Sequence, residues 1–592
     1  MYIRFVSFVD QLNKYRQSKI SDRNFLVFAA IFVGIFAGLA AALLKGITHK
    51  IQHFLQSDLH WQYKYYLYLL FPAIGILLSV IYVKRFIRKG KFETGLTPLL
   101  YTISKKSSRV EAHNTYSQII TAAITVGFGG STGLEAPIAT SGAAIGSNVG
   151  RFLGLSYREI TLLLACGAAA GIAGAFNSPI AGIVFAIEIL LPEFSIPAFI
   201  PLLLSAATAS VVARLFFKEQ LFFLVTEGWE MHALLFYVIL AVVVGLYAYY
   251  FTKMNKIIKG SFYKIKNPYY KIAIGGLILG LLVFLFPSLY GEGYITINSL
   301  LKGDHNAIIS NSIFSQLSDL PFVVILFALV TVMLKSVATL VTLAAGGNGG
   351  TFAPSLIIGG ILGFIIAHTV NVLGIAELNV ANFIIAGMAA ALGSVMHAPL
   401  TGIFLIAEIT GGYELMVPLM ITTAIAYFIS RGVSKYSIYT KPLVDAGHLS
   451  HHEDKDTTVL NMMSLKSIIE KDQLILRDTD ILSDKISDIL ASKRNVIPVV
   501  NAENIFQGVV YIETILKHVS QKYTEHIAIS DITDMPAEIA SLTNDVKEVL
   551  KKMEQENLWV MPVVDYSGTY IGLVSKTHIF NKYRDILSQQ AY

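Results

Sequence analysis

Two stretches decide how this chain folds: Gly129–Pro137, reading GGSTGLEAP, and Gly346–Pro354, reading GGNGGTFAP. Each precedes a second shared stretch, GAAAGIAGAFNSPIAGIVFAIE at Gly167–Glu188 and GMAAALGSVMHAPLTGIFLIAE at Gly387–Glu408. The longer pair aligns without a gap and keeps seven of 22 positions, including the proline, the Gly-Ile after it and the closing Glu, so one unit has been used twice. A carboxylate, Glu135, stands in only one nonapeptide. Glycine-rich turns between apolar helices, with one lone carboxylate, point to an ion site between two halves of a membrane protein.

Composition supports the membrane assignment. The chain is 54% hydrophobic and 15% charged, with a mean hydropathy of +0.60; soluble proteins carry nearer a quarter charged residues. Long apolar runs lie at Phe25–Leu44, Tyr65–Val83, Ile196–Phe217, Leu235–Phe251, Ile272–Phe286, Phe322–Leu334 and Met416–Ile429. About 20 residues span the hydrocarbon core, so the shorter runs, interrupted by Gly and Pro, predict tilted or broken helices. The first run follows more than twenty mixed polar residues and reads as a retained anchor rather than a cleaved signal. Arg4, Lys14, Arg16, Lys19 and Arg23 precede it, and Lys84, Arg85, Arg88, Lys89 and Lys91 follow the second run. That bias puts the N-terminus in the cytoplasm.

Several function classes drop out. Cys166 is the sole cysteine and cannot form an internal disulfide. The net charge of +6 is spread over loops, without the clustered basic face that nucleic acid requires. No nucleophile–base pair, metal cluster or phosphate loop argues for an enzyme; His113, His368 and His397 stand isolated on or near apolar stretches, as packed imidazoles do. The run His451-His452-Glu453-Asp454 lacks further ligands at a fixed spacing and reads as a solvated linker, not a metal site.

An anion inside a bilayer needs donors that do not hold it too tightly. Helix N-termini supply free N–H groups and a partial positive charge, and glycine lets backbone approach closely. Three helix starts of this kind are legible: Glu93-Thr94-Gly95-Leu96, Gly133-Leu134-Glu135-Ala136-Pro137 and Gly350-Thr351-Phe352-Ala353-Pro354, with proline suited to a first turn. Neither nonapeptide carries the Gly-Lys-Ser/Thr ending of a nucleotide P-loop.

A polar stretch from about Lys441 to Thr458 leads to a region with its own repeat: NVIPVVNAENIFQGVV at Asn495–Val510 and LWVMPVVDYSGTYIGLV at Leu558–Val574. Each reads as strand, polar turn, strand, flanked by helices near Leu482–Ser492 and Val546–Gln555. The pair resembles tandem CBS (cystathionine β-synthase) domains. That resemblance implies an adenine nucleotide as the one candidate cofactor, with Ser575, His578 and Thr514 at the positions that would touch it. The Asp that usually holds a ribose is missing from both units, His578 and Thr514 standing in its place, so a regulatory or dimer-stabilising module without ligand is the competing reading.

Taken together, the order and spacing of these motifs resemble the CLC chloride channel and transporter family over most of Phe25–Pro442. The resemblance implies an all-α polytopic membrane domain, built as an inverted repeat of broken helices, plus a cytoplasmic α/β CBS pair. The expected division is 1–24 as an N-terminal segment and 25–442 as the membrane domain, with halves at about 25–230 and 231–442. A linker at 443–458 and CBS units at 459–522 and 523–592 complete it. It implies a homodimer in the lipid bilayer of a bacterial inner membrane, both termini cytoplasmic, with the faces around Ile183–Leu191 and Ile403–Ile409 as interface candidates. Glu135 would be the gate. Thr94, Gly95, Leu96, Gly133, Ala136, Thr351, Phe352 and Tyr436 would surround chloride. Ile189 falls where proton-coupled members carry an inner glutamate; Glu188 is the nearest substitute, although its repeat partner Glu408 favours a structural role such as capping or pairing. This chain also departs from the family at Ala136, Thr94 and Thr97, which bears on anion selectivity. The sequence thus favours a gated chloride channel first and a chloride/proton antiporter second. A fluoride exporter and a membrane-anchored nucleotide sensor follow.

Overall fold

The computed structural model describes residues 22–55, 64–87, 92–191, 196–217, 228–447, 460, 463–520 and 527–590, less the single positions 311, 318, 319, 412, 472, 493 and 543. The basic residues Arg4, Lys14, Arg16 and Lys19, with Arg88, Lys89 and Lys91, and the run 451–454 therefore lie outside the described residues. The chain folds as two units, Met1–Leu449 and Ser450–Tyr592.

The first unit is helical. Its first half contains α1 (Asp22–His53), α2 (Phe71–Phe86), α3 (Thr97–Lys105), α4 (Asn114–Gly127), α5 (Glu135–Phe152), α6 (Tyr157–Phe176), α7 (Pro179–Phe185) and α8 (Ile196–Phe216). The second contains α9 (Leu234–Tyr263), α10 (Pro268–Leu285), α11 (Tyr294–Leu301), α12 (Pro321–Ala344), α13 (Phe352–Val372), α14 (Val380–Met396), α15 (Pro399–Ile409) and α16 (Met416–Val433). Among the described residues eight helices are long and apolar enough to cross a membrane. Two of them, α6 and α13, fall outside the apolar runs read from sequence, because their Gly, Ser, Thr and charged end residues interrupt the run without breaking the helix. The run Tyr65–Val83 is not one helix: the chain turns after Leu67, and α2 starts afresh with Pro72 in its first turn.

The repeat is visible in the packing. Helices α5 and α6 meet where a Cβ on Gly142 would strike the carbonyl oxygen of Gly167, and one on Gly167 that of Gly142. In the second half α13 and α14 meet through Gly359 and Gly387 in the same reciprocal way. Only glycine lets two helix backbones lie this close, and between membrane helices such contact replaces the hydrophobic drive. Each half also breaks its long helix at one place. After α6, Asn177 is left-handed (φ 57°) and Pro179 opens α7; after α14, His397 is left-handed (φ 58°) and Pro399 opens α15. Helices α7 and α15 then pack against one another. That packing buries Ile183, Ile403, Leu405, Ile406 and Ile409, while Val184, Ile187, Ile189, Leu191 and Phe404 in the same segments keep part of their surface open.

The second unit holds two matching sheets, β1 (Leu476–Arg477), β2 (Val496–Val500), β3 (Phe506–Tyr511) and β4 (Ala540–Ser541), β5 (Val560–Val564), β6 (Tyr570–Ser575). In each the first strand pairs parallel with the second and the second antiparallel with the third. Pro498 opposes Val509 as Pro562 opposes Leu573, so the registers coincide. Side chains cross the linear division at 522/523. Met463, Leu465 and Ile468 pack in the core of the second sheet, and Ile529 and Ile532 in that of the first. Each sheet is thus finished by apolar side chains from the segment that leads into the other repeat.

Candidate functional site

The two nonapeptides meet. Gly133 N–H donates to Gly350 O (2.9 Å) and Gly350 N–H donates to Gly133 O (2.8 Å), a two-residue antiparallel bridge between the copies. Side chains fasten it: Thr132 Oγ1 donates to Gly350 O (2.8 Å), and Asn348 Nδ2 donates to Gln118 Oε1 (2.9 Å) and Thr121 Oγ1 (2.7 Å). Gly129 (φ +90°) and Gly346 (φ +108°), equivalent positions of the repeat, are left-handed, which glycine adopts without strain. From this junction α5 starts at Glu135 and α13 at Phe352, so two helix N-termini begin side by side. Their first N–H groups have no partner within their own helices.

The carboxylate of Glu135 does not stay with its own helix. Oε2 accepts the N–H of Ala353, in the first turn of α13 (3.4 Å), and Oε1 accepts the hydroxyl of Tyr294, at the start of α11 (2.8 Å). The side chain is 3% exposed. A Cβ at Gly133 would collide with this carboxylate and with Ala353, which is why that position is glycine. Ala136 is buried with its methyl against Gly350, another position with no room for a side chain. Phe352, aligned with Glu135 in the repeat, is buried beside the rings of Phe176 (5.6 Å) and Phe185 (6.4 Å).

Where the sequence reading expected Tyr436, the tyrosine that reaches Thr351 on another side of the junction is Tyr439. Its hydroxyl hydrogen-bonds the Thr351 hydroxyl (2.9 Å), and its carbonyl accepts Thr97 Oγ1 (3.0 Å). Tyr436 is only half-buried, and its carbonyl accepts Ser434 Oγ. The cause is local. Helix α16 ends at Val433, and a turn closed by Ser437 N–H to Thr440 Oγ1 (3.1 Å) carries residue 439, three positions on, into the interior. The Ser-x-x-Thr spacing at 437–440 was the available signal. Thr97, a departure from the family pattern, ties α3 to this tyrosine. Leu96 is buried at the head of α3, and Gly95 is left-handed (φ +81°). The Thr94 hydroxyl makes no hydrogen bond among the described residues.

Glu188 and Glu408 have a different job. Glu188 accepts the N–H groups of Leu400 (3.1 Å) and Thr401 (2.8 Å) and the Thr401 hydroxyl (2.7 Å), capping α15. Glu408 accepts the N–H groups of Ile180 (3.0 Å) and Ala181 (2.8 Å), capping α7. Each half closes the other's broken helix, and both oxygens of each carboxylate are occupied. Around Glu188 the backbone widens, with Leu191 N–H bonded to Ala186 O (2.9 Å). Ile189, on the same wide turn, packs against the apolar core and holds no proton.

In the second unit Ser575 and His578 come together, but around Glu470. Ser575 Oγ donates to Glu470 Oε1 (2.6 Å) and Arg494 Nη2 to Oε2 (2.6 Å), while His578 Nδ1 lies 3.8 Å from Oε1. Partial burial pushes the Glu470 carboxyl up, but the Ser575 hydroxyl, Arg494 and His578 outweigh it and hold it below the usual carboxylate range. Thr514 does not join this cluster; its carbonyl pairs with the His518 ring (2.9 Å) on its own helix.

A family model described as "Voltage gated chloride channel" matches residues 75–431. The chain belongs to the CLC family. A second model, "CBS domain", matches residues 529–585. Among relatives, a putative ClcB-like chloride channel protein of Ralstonia nicotianae is 32% identical over 54% of this chain and 72% of its own length. An H(+)/Cl(−) exchange transporter ClcA of Vibrio parahaemolyticus is 30% identical over 54% of this chain and 67% of its own. Among solved structures, a slow cyanobacterial Cl−/H+ antiporter superposes with a TM-score of 0.62 at 24% identity, over 72% of this chain and 99% of that one. This CLC protein is therefore an integral membrane anion transporter with a CBS-type α/β region. What the motif reading missed at its centre is Tyr439, Tyr294 and the neighbours of Tyr294 in the Gly291–Gly293 turn, residues that lie in neither nonapeptide.

Proposed function

We propose that this CLC chain exchanges chloride for protons, with Glu135 as the group that serves both ions. The observation that carries the reading is the Glu135 carboxylate bonded to the first-turn N–H of Ala353 and to Tyr294 at the meeting of the two repeats. A carboxylate there occupies a position that suits any small anion, since it uses the same helix-start donor. Chloride and the ionised side chain compete for it, and a proton on Glu135 removes the competitor. Hydroxyls of Thr94 and Tyr439 and the N–H groups of α13 complete a coordination weak enough to release chloride. The bacterial relative named an exchange transporter supports exchange over the channel reading that the sequence put first.

A gated channel is the second reading, favoured by one observation: Ile189 offers no inner proton carrier, and the carboxylate of Glu188 is engaged at α15. Proteoliposomes decide between them. With a chloride gradient at zero membrane potential, exchange drives protons against their own gradient in the wild type and not in Glu135→Gln. Chloride flux with no proton movement leaves the channel. The remaining assignments rest on the family: a homodimer in a bacterial inner membrane, with cytoplasmic termini. In the CBS pair the Glu470 cluster favours a module that holds no adenine nucleotide at Ser575 and His578.

A further inference from the structure

A second carboxylate stands beside Glu135, and neither the repeat nor the gate reading assigns it a part. After α10 the chain passes through a short turn, Pro287–Leu289, and then Gly291-Glu292-Gly293 before α11 begins at Tyr294. Both glycines are left-handed (φ +57° and +101°), so this turn is built from residues that can adopt it. Lys335 of α12 braces it from inside the fold: its Nζ donates to Leu289 O (3.3 Å) and Gly291 O (3.0 Å). The turn so held presents two neighbouring side chains to the start of α5. Glu292 Oε1 accepts the N–H of Leu134 (3.3 Å), and Tyr294 donates to Glu135, the next residue (2.8 Å).

The two carboxylates differ in access. Glu135 is buried, while Glu292 is half-buried, and both line one cavity of about 550 Å³. The titratable groups around Glu292 come from four elements: Glu135 on α5, Tyr294 on α11, Lys335 on α12, and Lys45, His49 and His53 of α1 across the cavity. Tyr68 and Tyr290 line the cavity as well. The charges of Glu135, Lys45 and Lys335 all act on Glu292. A helix start needs only a neutral acceptor for its N–H. A carboxylate placed next to another carboxylate inside a membrane protein is costly unless the pair shares a proton or serves transport.

We propose that Glu292 is the residue through which protons from the cavity reach Glu135, an inference that rests on Glu135 being the gate. A proton from cavity water adds to a Glu292 carboxylate oxygen, giving the neutral carboxyl. That O–H breaks as an O–H forms on Glu135, so Glu292 returns to carboxylate and Glu135 becomes free to leave the anion position. The reverse sequence discharges Glu135 to the cavity. Lys335 and Tyr294 are positioning residues in this scheme, holding the turn and the gate in register.

The test uses the full-length protein reconstituted in liposomes and planar bilayers, with pH stepped on one side at a time. In Glu292→Gln, chloride flux stays within about threefold of wild type. Proton flux falls by about tenfold or more, and chloride flux loses its response to pH on one side, as removal of a proton-transfer group requires. Glu292→Asp restores part of both. Wild-type proton flux and wild-type pH response in Glu292→Gln overturn the proposal. If that variant does not yield a monodisperse protein, Glu292→Asp decides: slowed proton flux with intact chloride flux supports the proposal, and unchanged proton flux overturns it. A wild type that moves chloride without protons removes the exchange reading alone. The one-sided pH response then still judges Glu292, its loss in Glu292→Gln supporting the role and its persistence overturning it.

Discussion

Replacing Tyr294 with Phe removes the hydroxyl that donates to Glu135 Oε1 at 2.8 Å and leaves the ring in place. Hydrogen bonds to a charged group are worth about 1.5–3 kcal/mol. The low end applies here, because Ala353 N–H still holds the other oxygen. About 1.4 kcal/mol is a factor of ten, so the ionised gate loses about tenfold in its competition for the anion position. Chloride binding to the detergent-solubilised protein, measured by calorimetry, should therefore tighten about tenfold in Tyr294→Phe. In a Glu135→Gln background no ionised gate competes, and the same change should shift chloride affinity by less than about twofold. Double-mutant cycles isolate such couplings. An equal effect of Tyr294→Phe in both backgrounds would mean that the tyrosine acts on chloride directly, and the account of the gate given above would be wrong.

Three further outcomes follow from other parts of the fold. Gly142→Val and Gly359→Val each drive a side chain into the backbone of the paired helix, and overpacking at such contacts costs about 1–3 kcal/mol or more. Both variants should aggregate on size exclusion, whereas Gly46→Ala, in open space on α1, should behave as wild type. Glu188→Ala and Glu408→Ala each remove one cap from the reciprocal pair. Each should lower the melting temperature by a similar amount, as for a cap worth about 1–2 kcal/mol, and leave the proton-to-chloride ratio of the surviving protein unchanged. In the CBS pair, a carboxyl held below its ordinary range stabilises the fold above its unfolded-state pKa and loses that contribution as pH falls through the folded value. Glu470→Gln should thus weaken hydrogen-exchange protection of 560–575 in the full-length protein at pH 7. The difference should fade below the normal carboxylate range, and ATP should not protect the wild type.

Residue patterns alone carried the class of protein, the doubled unit and the singular Glu135, because hydropathy and a repeated Gly-Gly…Ala-Pro are local properties that survive without coordinates. The same locality explains the misses. Tyr436 and Tyr439 are three residues apart in one loop, and only the turn at Ser437–Thr440 decides which enters the interior. The repeat partner Glu408 already favours a capping or pairing role for Glu188, but which helix each glutamate closes is fixed only when α7 and α15 are brought together. Met463 and Ile532 read as members of their nearest repeat, yet each packs in the other sheet. Glu292 lies more than 150 positions from Glu135, at |i−j| = 158 from the Leu134 that it holds. Helix starts and glycine turns are written into neighbouring residues, but which carboxylate faces which donor is fixed only when separate helices pack, and packing is a property of the whole chain.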